Sequence, residues 1–418
     1  MADVINAITL NIKQQEALDA MLAGENVFIT GEGGTGKSVV ISEFLKTAEQ
    51  EVIQCAPTGI AAIHIGGITV HRLIKPPIGP IADYIKPAAE NDLMMAVDTI
   101  IVDEISMLRF DLFKYLVKTI RYYEELRNRR IQLIVVGDFF QLPPVISSRG
   151  DGPALRRLWG DIGKGFSFQA YEWHQYNFHS IILTEQMRQK DNEFINNLNK
   201  LRIGDTSCID FFNRETAEEP NDGITLCPSR ACAKKINDKK LAELDGEIKE
   251  YSSAVKGNFD DELKPVCDVI RLKEGARVMT LRNDKECRYQ NGSLGTVSKM
   301  NADSIVISLD NGNIATVGCY DWKNYDYEVN DEGKLERKEV GTFSQLPIQL
   351  AYAITIHKSQ GQTYDKVNIK PECFAEGQMY VALSRVKTLE GLHIDGEIRE
   401  SQVKVSKEVI EFYNGLPA

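Results

Sequence analysis

Short apolar runs alternate with stretches of helical spacing through the first third of the chain. Lys13 to Leu22 follows Leu10-Asn11 and closes at Gly24, as a short helix does. Val27-Phe28-Ile29 is the continuous apolar run of a buried strand. It enters a glycine-rich loop, and a helical stretch from Ser38 to Glu49 follows. Val52 to Cys55 and Thr99 to Val102 read as further strands. Leu112, Leu116, Ile120 and Tyr123 share one helical face, and Arg127, Arg129 and Arg130 suit the negative end of that helix. Ile131 to Val136 is again a buried-strand run. Short strands alternating with helices predict an α/β fold, a parallel sheet covered on both faces.

The alternation breaks twice. Between His71 and Asp98, Pro76, Pro77, Pro80 and Pro87 forbid a long regular element, which predicts an insertion on the first domain. From Arg277 to Val317 the runs shorten. Residues 278–281, 295–298 and 304–308 are strand-like and are split by Asn291-Gly292 and Asn311-Gly312, a dipeptide favoured in tight hairpins. That block predicts a small β-barrel set into a second α/β domain.

Composition narrows the setting. The chain has 418 residues, 43% hydrophobic and 26% charged, as in a globular protein of two to four domains. Its eight cysteines are scattered, and Cys227 and Cys232 have no second pair to complete a zinc site, so reduced thiols are expected. No apolar run approaches the roughly 20 residues of a membrane span. Met1-Ala2-Asp3-Val4-Ile5 lacks the basic-then-apolar order of a signal peptide. The expectation is an intracellular protein, of cytoplasm or nucleoid, from a prokaryotic or phage source.

Gly31-Glu32-Gly33-Gly34-Thr35-Gly36-Lys37-Ser38 matches G-x-x-x-x-G-K-[ST] at every fixed position, between a strand and a helix. The glycines let backbone N–H groups turn inward around phosphates, and the helix start adds partial positive charge. Gly33, Gly34, Thr35 and Gly36 would form the cradle. Lys37 would reach the β- and γ-phosphates, and Ser38 would ligate Mg2+. The plainer alternative is a glycine-rich turn. Asp103-Glu104 ends the apolar run Ile100 to Val102, and a strand end delivers such acids beside the phosphate loop. Asp103 is expected to hold Mg2+ through water and Glu104 to polarise the attacking water. ATP and Mg2+ are the cofactors these residues imply.

Further segments narrow the class. Residues 135–145, Val135-Val136-Gly137-Asp138-Phe139-Phe140-Gln141-Leu142-Pro143-Pro144-Val145, resemble the third motif of superfamily 1 helicases. Thr355-Ile356-His357-Lys358-Ser359-Gln360-Gly361-Gln362-Thr363 resembles the fifth and Tyr380-Val381-Ala382-Leu383-Ser384-Arg385 the sixth. Ala56 to Ala62 and Gly66 to His71 resemble the early motifs that touch the strand. In this order, from Leu10 to Leu392, they resemble the PIF family of superfamily 1B, 5′-to-3′ DNA helicases near RecD and the phage Dda helicase.

That resemblance implies two RecA-like domains with ATP in the cleft between them. Residues 1–180 would form the first, with an inserted wedge or pin at about 72–97. Residues 181–264 and 341–418 would form the second, with an SH3-like barrel at 265–340. Arg188, in Leu183-Thr184-Glu185-Gln186-Met187-Arg188, and Arg385 match the fourth- and sixth-motif arginines that reach the γ-phosphate. An inserted guanidinium stabilises the charge that phosphoryl transfer spreads over the γ-oxygens. Gln141 matches the sensor between γ-phosphate and strand, and Gly361 falls in the nucleotide site. Gln14 matches the glutamine that reads adenine, with Gln15 the adjacent alternative. Pro57, Thr58, Gly59, Thr69, His71, Thr355, His357 and Lys358 match positions near the strand. His71, Phe139 and Phe140 could offer a stacking face. The insertion is short for the family, which leaves strand splitting less secure than ATP hydrolysis.

A net charge of −11 argues the other way, since a basic patch is the usual footprint of nucleic-acid binding. A motor that releases its track at every step needs only a local groove. The expected partners are single-stranded DNA, its junctions with duplex, and folded DNA such as quadruplexes, bound by a monomer with no membrane involved. Two other readings compete: an RNA helicase of the same superfamily, and an ATP-gated clamp that binds strand without unwinding. The run His357 to Gly361 favours DNA, and a clamp needs no arginine pair.

Overall fold

The computed structural model describes residues 9–417, except 147–149, 188, 190, 217–219, 221, 285, 287 and 331–334. Asn11 begins the first helix, α1 (Ile12–Leu22), with a reciprocal cap. Its side chain accepts the Gln14 N–H, and the Gln14 side chain accepts the Asn11 N–H. The chain continues through β1 (Val27–Gly31), α2 (Lys37–Thr47), β2 (Val52–Ala56), α3 (Gly59–His64), β3 (Ile68–Thr69) and α4 (Val70–Ile74). Then come α5 (Asp92–Ala96), β4 (Thr99–Val102), α6 (Phe110–Arg127), β5 (Gln132–Val136), α7 (Asp151–Trp159), α8 (Tyr171–Tyr176) and β6 (His179–Leu183).

Among the described residues the first sheet is parallel, in the order β3-β2-β4-β5-β1-β6. β1, β4 and β5 are buried along their whole length because helices cover both faces. Met21, Val40 and Phe44 cover one face. On the other, Phe28, Phe113, Phe139 and Trp173 meet in an aromatic cluster beneath α6. β6 pairs with β1 from His179 to Leu183, so the first sheet runs past residue 180. The proline-rich segment has no regular element between α4 and α5, and α6 straps it down. Asp111 accepts the Ile81 N–H, while Tyr115 and Tyr123 donate to the Lys86 and Ala88 carbonyls.

The second unit holds α9 (Asn192–Arg202), α10 (Ile209–Glu215), β7 (Ile224–Cys227) and α11 (Arg230–Glu243). The barrel strands interrupt it: β8 (Lys249–Ser252), β9 (Ala254–Gly257), β10 (Val269–Leu272), β11 (Arg277–Thr280), β12 (Leu294–Met300), β13 (Ser304–Leu309), β14 (Ile314–Gly318), β15 (Tyr320–Val329), β16 (Leu335–Gln345) and β17 (Ile348–Leu350). The chain then returns through β18 (Ala353–Thr355), β19 (Val367–Ile369), α12 (Gln378–Leu383) and β20 (Leu392–Ile394) to a last helix, α13 (Lys407–Asn414). The second sheet is parallel, in the order β18-β7-β19-β20.

The inserted core is larger than 265–340. Tyr251 and Phe259 share it with Val278, Ile307 and Phe343, since β8 pairs with β10 and β9 with β16. The far end of the chain also departs from expectation. α13 does not stay with the second sheet; Val409, Phe412 and Tyr413 pack into the first-domain core.

Candidate functional site

The phosphate loop is shaped by its glycines. Gly34 and Gly36 have φ of 96° and 84°, a region where a side chain is strained. Gly36 also lies against Gln14, whose Nε2 would be 2.4 Å from an added Cβ. Thr35 is buried and donates to the Glu32 carbonyl at 3.0 Å. Lys37 donates to the Gly31 and Glu32 carbonyls at 2.8 and 2.9 Å. Burial lowers its pKa, and the charges of Asp138, Glu104 and Asp103 oppose that shift.

β4 ends at Asp103 and Glu104 as the apolar run requires. Glu104 stands at φ 51°, ψ 43°, a left-handed conformation uncommon outside glycine and characteristic of functional turns. Asp103 accepts the Glu104 N–H at 2.8 Å. Burial, then the adjacent Asp103 charge, push the Glu104 carboxyl up to about 7, against the pull of Lys37 and Arg385. Lys37, Asp103, Glu104 and Arg385 therefore share one electrostatic neighbourhood.

The second unit closes onto this neighbourhood. Gln360, just after β18 and a single 3-10 turn (Ile356–Ser359), donates to Glu104 Oε2 at 2.9 Å and to Gln141 Oε1 at 3.2 Å. One amide thus joins the acid at the end of β4, the Gln141 side chain and the fifth-motif segment. Gln186 donates to Glu32 at 2.7 Å and the Met187 N–H to the Gly34 carbonyl at 3.0 Å, so the segment after β6 crosses the phosphate loop. Arg188, between these contacts and Gln189, lies outside the described residues. Arg385 is 1% exposed and turned onto its own unit, donating to the Val381 and Gln362 carbonyls at 2.9 and 3.3 Å and to the Ser384 hydroxyl at 2.7 Å. Gly361 is exposed with φ 78° and open space beside it.

Gln14 touches the phosphate loop, donating to the Thr35 carbonyl at 3.1 Å, while its oxygen caps α1. Gln15 faces solvent and pairs with Asp19. Among the described residues no group of three or more His, Cys, Asp or Glu side chains could hold a metal. Mg2+ held by one hydroxyl, one carboxylate and nucleotide oxygens needs no such cage, so Ser38 and Asp103 fit it.

The strand-facing residues behave differently. Thr58, Thr69 and Thr355 each stand where a strand ends and a short helix begins, and each hydroxyl accepts a backbone N–H, of Ala61, Arg72 and Lys358 respectively. Each side chain caps a helix through one lone pair of its hydroxyl, which leaves the O–H itself as a donor. Pro57 and Gly59 flank the first of these caps. His71 and Lys358 are exposed. Burial, then the charge of Arg230, hold the His357 pKa below the usual value. α3 packs against the barrel segment Asp261–Leu263, which sets the insertion beside the early motifs.

Phe140 requires correction. It is 5% exposed, with its ring 4.7 Å from Tyr413 and the Arg202 guanidinium 4.2 Å above it. No face is left on which a base could stack. Phe139 is buried among Phe28, Phe166, Phe168 and Phe412. Sequence reasoning also passed over Gln360, which nothing in the sequence separates from Gln362, and Arg230, an ordinary first-turn residue until the fold sets it near His357 and Lys358.

Known proteins resemble the chain over nearly its whole length. A family model described as PIF1-like helicase matches residues 9–210. The ATP-dependent DNA helicase Pif1 of Bdellovibrio bacteriovorus is 33% identical over 98% of this chain and 92% of its own. The crystal structure of Bacteroides sp Pif1 in complex with ADP-AlF4 superposes with a TM-score of 0.87 at 33% identity, covering 97% of each chain. Bacteroides Pif1 bound to ssDNA superposes at 0.69, with 34% identity and the same coverage. The unliganded Bacteroides structure superposes at 0.86, so the arrangement here is nearer to the DNA-free structures, with or without nucleotide, than to the DNA-bound one.

Proposed function

The chain belongs to the PIF1-like helicase family and is an ATP-dependent DNA helicase, and we propose that it hydrolyses ATP in the seam between its two sheets while moving 5′ to 3′ on single-stranded DNA. The observation that carries the reading is Gln360, which bridges Glu104 and Gln141 across that seam. ATP sits on the phosphate loop, with Lys37 leaving its two carbonyls for the β- and γ-oxygens. Ser38 and Asp103 would hold Mg2+, which would supply charge neutralisation on the phosphates. Glu104 orients the attacking water and accepts its proton. Gln360, itself bonded to Gln141, fixes that carboxylate, and Arg385 and Arg188 supply positive charge to the γ-phosphate. Gln14 holds the loop and lies at the adenine end.

Strand contacts fall on the C-terminal edges of both sheets, at Pro57, Thr58, Gly59, Thr69, His71, Thr355, His357 and Lys358. Arg230 adds to them. Because Gln360 directly follows the turn that carries His357 and Lys358, a strand bound there shifts the groups that complete the nucleotide site. The working unit is a monomer acting at junctions of single strand and duplex, with folded DNA as a further substrate. Among the described residues no helix is long and apolar enough to cross a membrane.

The test is ATP turnover with no nucleic acid, with single-stranded DNA and with RNA of the same sequence, followed by unwinding of duplexes with a 5′ or a 3′ tail. Stimulation by DNA and unwinding from the 5′ tail are expected. Stronger stimulation by RNA, or unwinding only from the 3′ tail, would contradict the reading.

A further inference from the structure

The loop Asp138-Phe139-Phe140-Gln141 leaves β5 and carries the Gln141 side chain into the seam. It is closed by its own turn, in which the Gln141 N–H donates to the Asp138 carbonyl at 2.9 Å. The rest of its support comes from residues distant in sequence. Asp138 is 1% exposed, and its carboxylate takes both Nη2 and Nε of Arg202, the last residue of α9, at 2.8 and 3.3 Å. The same guanidinium lies over the Phe140 ring at 4.2 Å and 5.4 Å from the Tyr413 ring centre. Tyr413, from α13, closes the cluster. Its hydroxyl sits 2.5 Å from that of Thr30 in β1, accepts the Phe139 N–H at 3.2 Å, and lies 3.4 Å from Asp138.

Three parts of the chain therefore converge on one buried carboxylate. α9 belongs to the second-unit core through Phe194, Leu198 and Leu201, while α13 packs on the first. The cluster spans the seam, as Gln360 does.

A buried ion pair of this kind adds little net stability, because desolvation offsets the attraction. What it supplies is geometry. A two-toothed guanidinium contact fixes the plane of the carboxylate, and the paired Phe140 and Tyr413 rings give the guanidinium an aromatic floor. Parting the two would strand a charge away from water, so the loop stays with α9 when the seam rearranges. The consequence reaches the phosphate loop, since Asp138 is the largest counter-charge acting on Lys37.

We propose that Arg202 and Tyr413 are positioning residues for ATP hydrolysis, which lock Asp138 and so hold Gln141 where Gln360 and the nucleotide both reach it. The inference rests on the strand-stimulated ATPase proposed above. Neither residue touches the reacting atoms.

Three variants separate positioning from bulk stability. Tyr413→Phe keeps the ring and removes the hydroxyl. Arg202→Lys keeps the charge and loses the fork. Asp138→Asn combined with Arg202→Gln removes both charges, so that no stranded ion can unfold the protein. ATP turnover of each full-length variant is measured with and without single-stranded DNA, beside its melting temperature. DNA-stimulated kcat is expected to fall on the order of tenfold for Arg202→Lys and the double variant, and several-fold for Tyr413→Phe. KM for ATP should stay within about twofold, and the double variant should melt near the unmodified protein. Unmodified stimulation in all three variants overturns the proposal. So does loss of basal and stimulated turnover in equal proportion to a fall in melting temperature. If the unmodified chain gains nothing from DNA, the functional reading fails, and the proposal falls with it.

Discussion

The two sides of the seam are built on different principles. On the first-domain side the chemistry is carried by backbone and strand ends. Gly34 and Gly36 shape the loop, and β4, buried along its length, delivers Asp103 and Glu104 in one conformation. On the second-unit side it is carried by side chains on short elements. Gln360 follows a single turn, and Arg385 is bonded to the carbonyls of its own unit. The first side is fixed as soon as the sheet forms. On the function proposed above, the second is brought into line by the bound strand. A rigid half that binds and an adjustable half that completes the site couple hydrolysis to motion.

Substitutions on each side should fail in different ways. Lys37→Ala, on the fixed side, is expected to abolish ATP turnover while leaving the melting temperature nearly unchanged; residual turnover at the unmodified rate would remove the phosphate loop from the mechanism. Arg385→Ala, on the adjustable side, should cut hydrolysis by on the order of 10³ while a fluorescent nucleotide analogue still binds. Loss of that binding would make Arg385 a structural residue. Phe140→Ala should cost about 3–5 kcal/mol of stability in denaturant unfolding, as for a large core side chain. A folded variant that had lost only strand affinity would restore the stacking role that burial denies it. Thr355→Ala removes the cap of the turn before Gln360. It is expected to cost about 1 kcal/mol and to weaken stimulation by DNA more than basal turnover. Equal losses would sever the link between that turn and the strand.

The same contrast decides what was legible in the sequence. β1, β4 and β5 could be read because a strand covered on both faces is apolar throughout, and the phosphate loop because its glycines are few and fixed in spacing. β8 and β9 were missed because Lys249-Glu250-Tyr251-Ser252 and Ala254-Val255-Lys256-Gly257 are mostly exposed and lack an alternating pattern. α13 was assigned to the wrong unit because an amphipathic helix shows that it has an apolar face and not what that face meets. Thr58, Thr69 and Thr355 could be read from their motifs, but not the helix caps that their hydroxyls also form. Phe140 was misread because a ring beside a buried strand can turn either way, and Arg202, 62 positions further on, decided the direction.

The most direct test of a seam completed from its second side is the steady-state ATPase of the intact chain, with kcat and KM separated, in the absence and presence of saturating single-stranded DNA. The expected result is a rise in kcat of tenfold or more with KM nearly constant, since the strand acts on alignment and not on nucleotide binding. A constant kcat with a lower KM would mean that the strand only helps ATP to bind, and would contradict the division of labour across the seam.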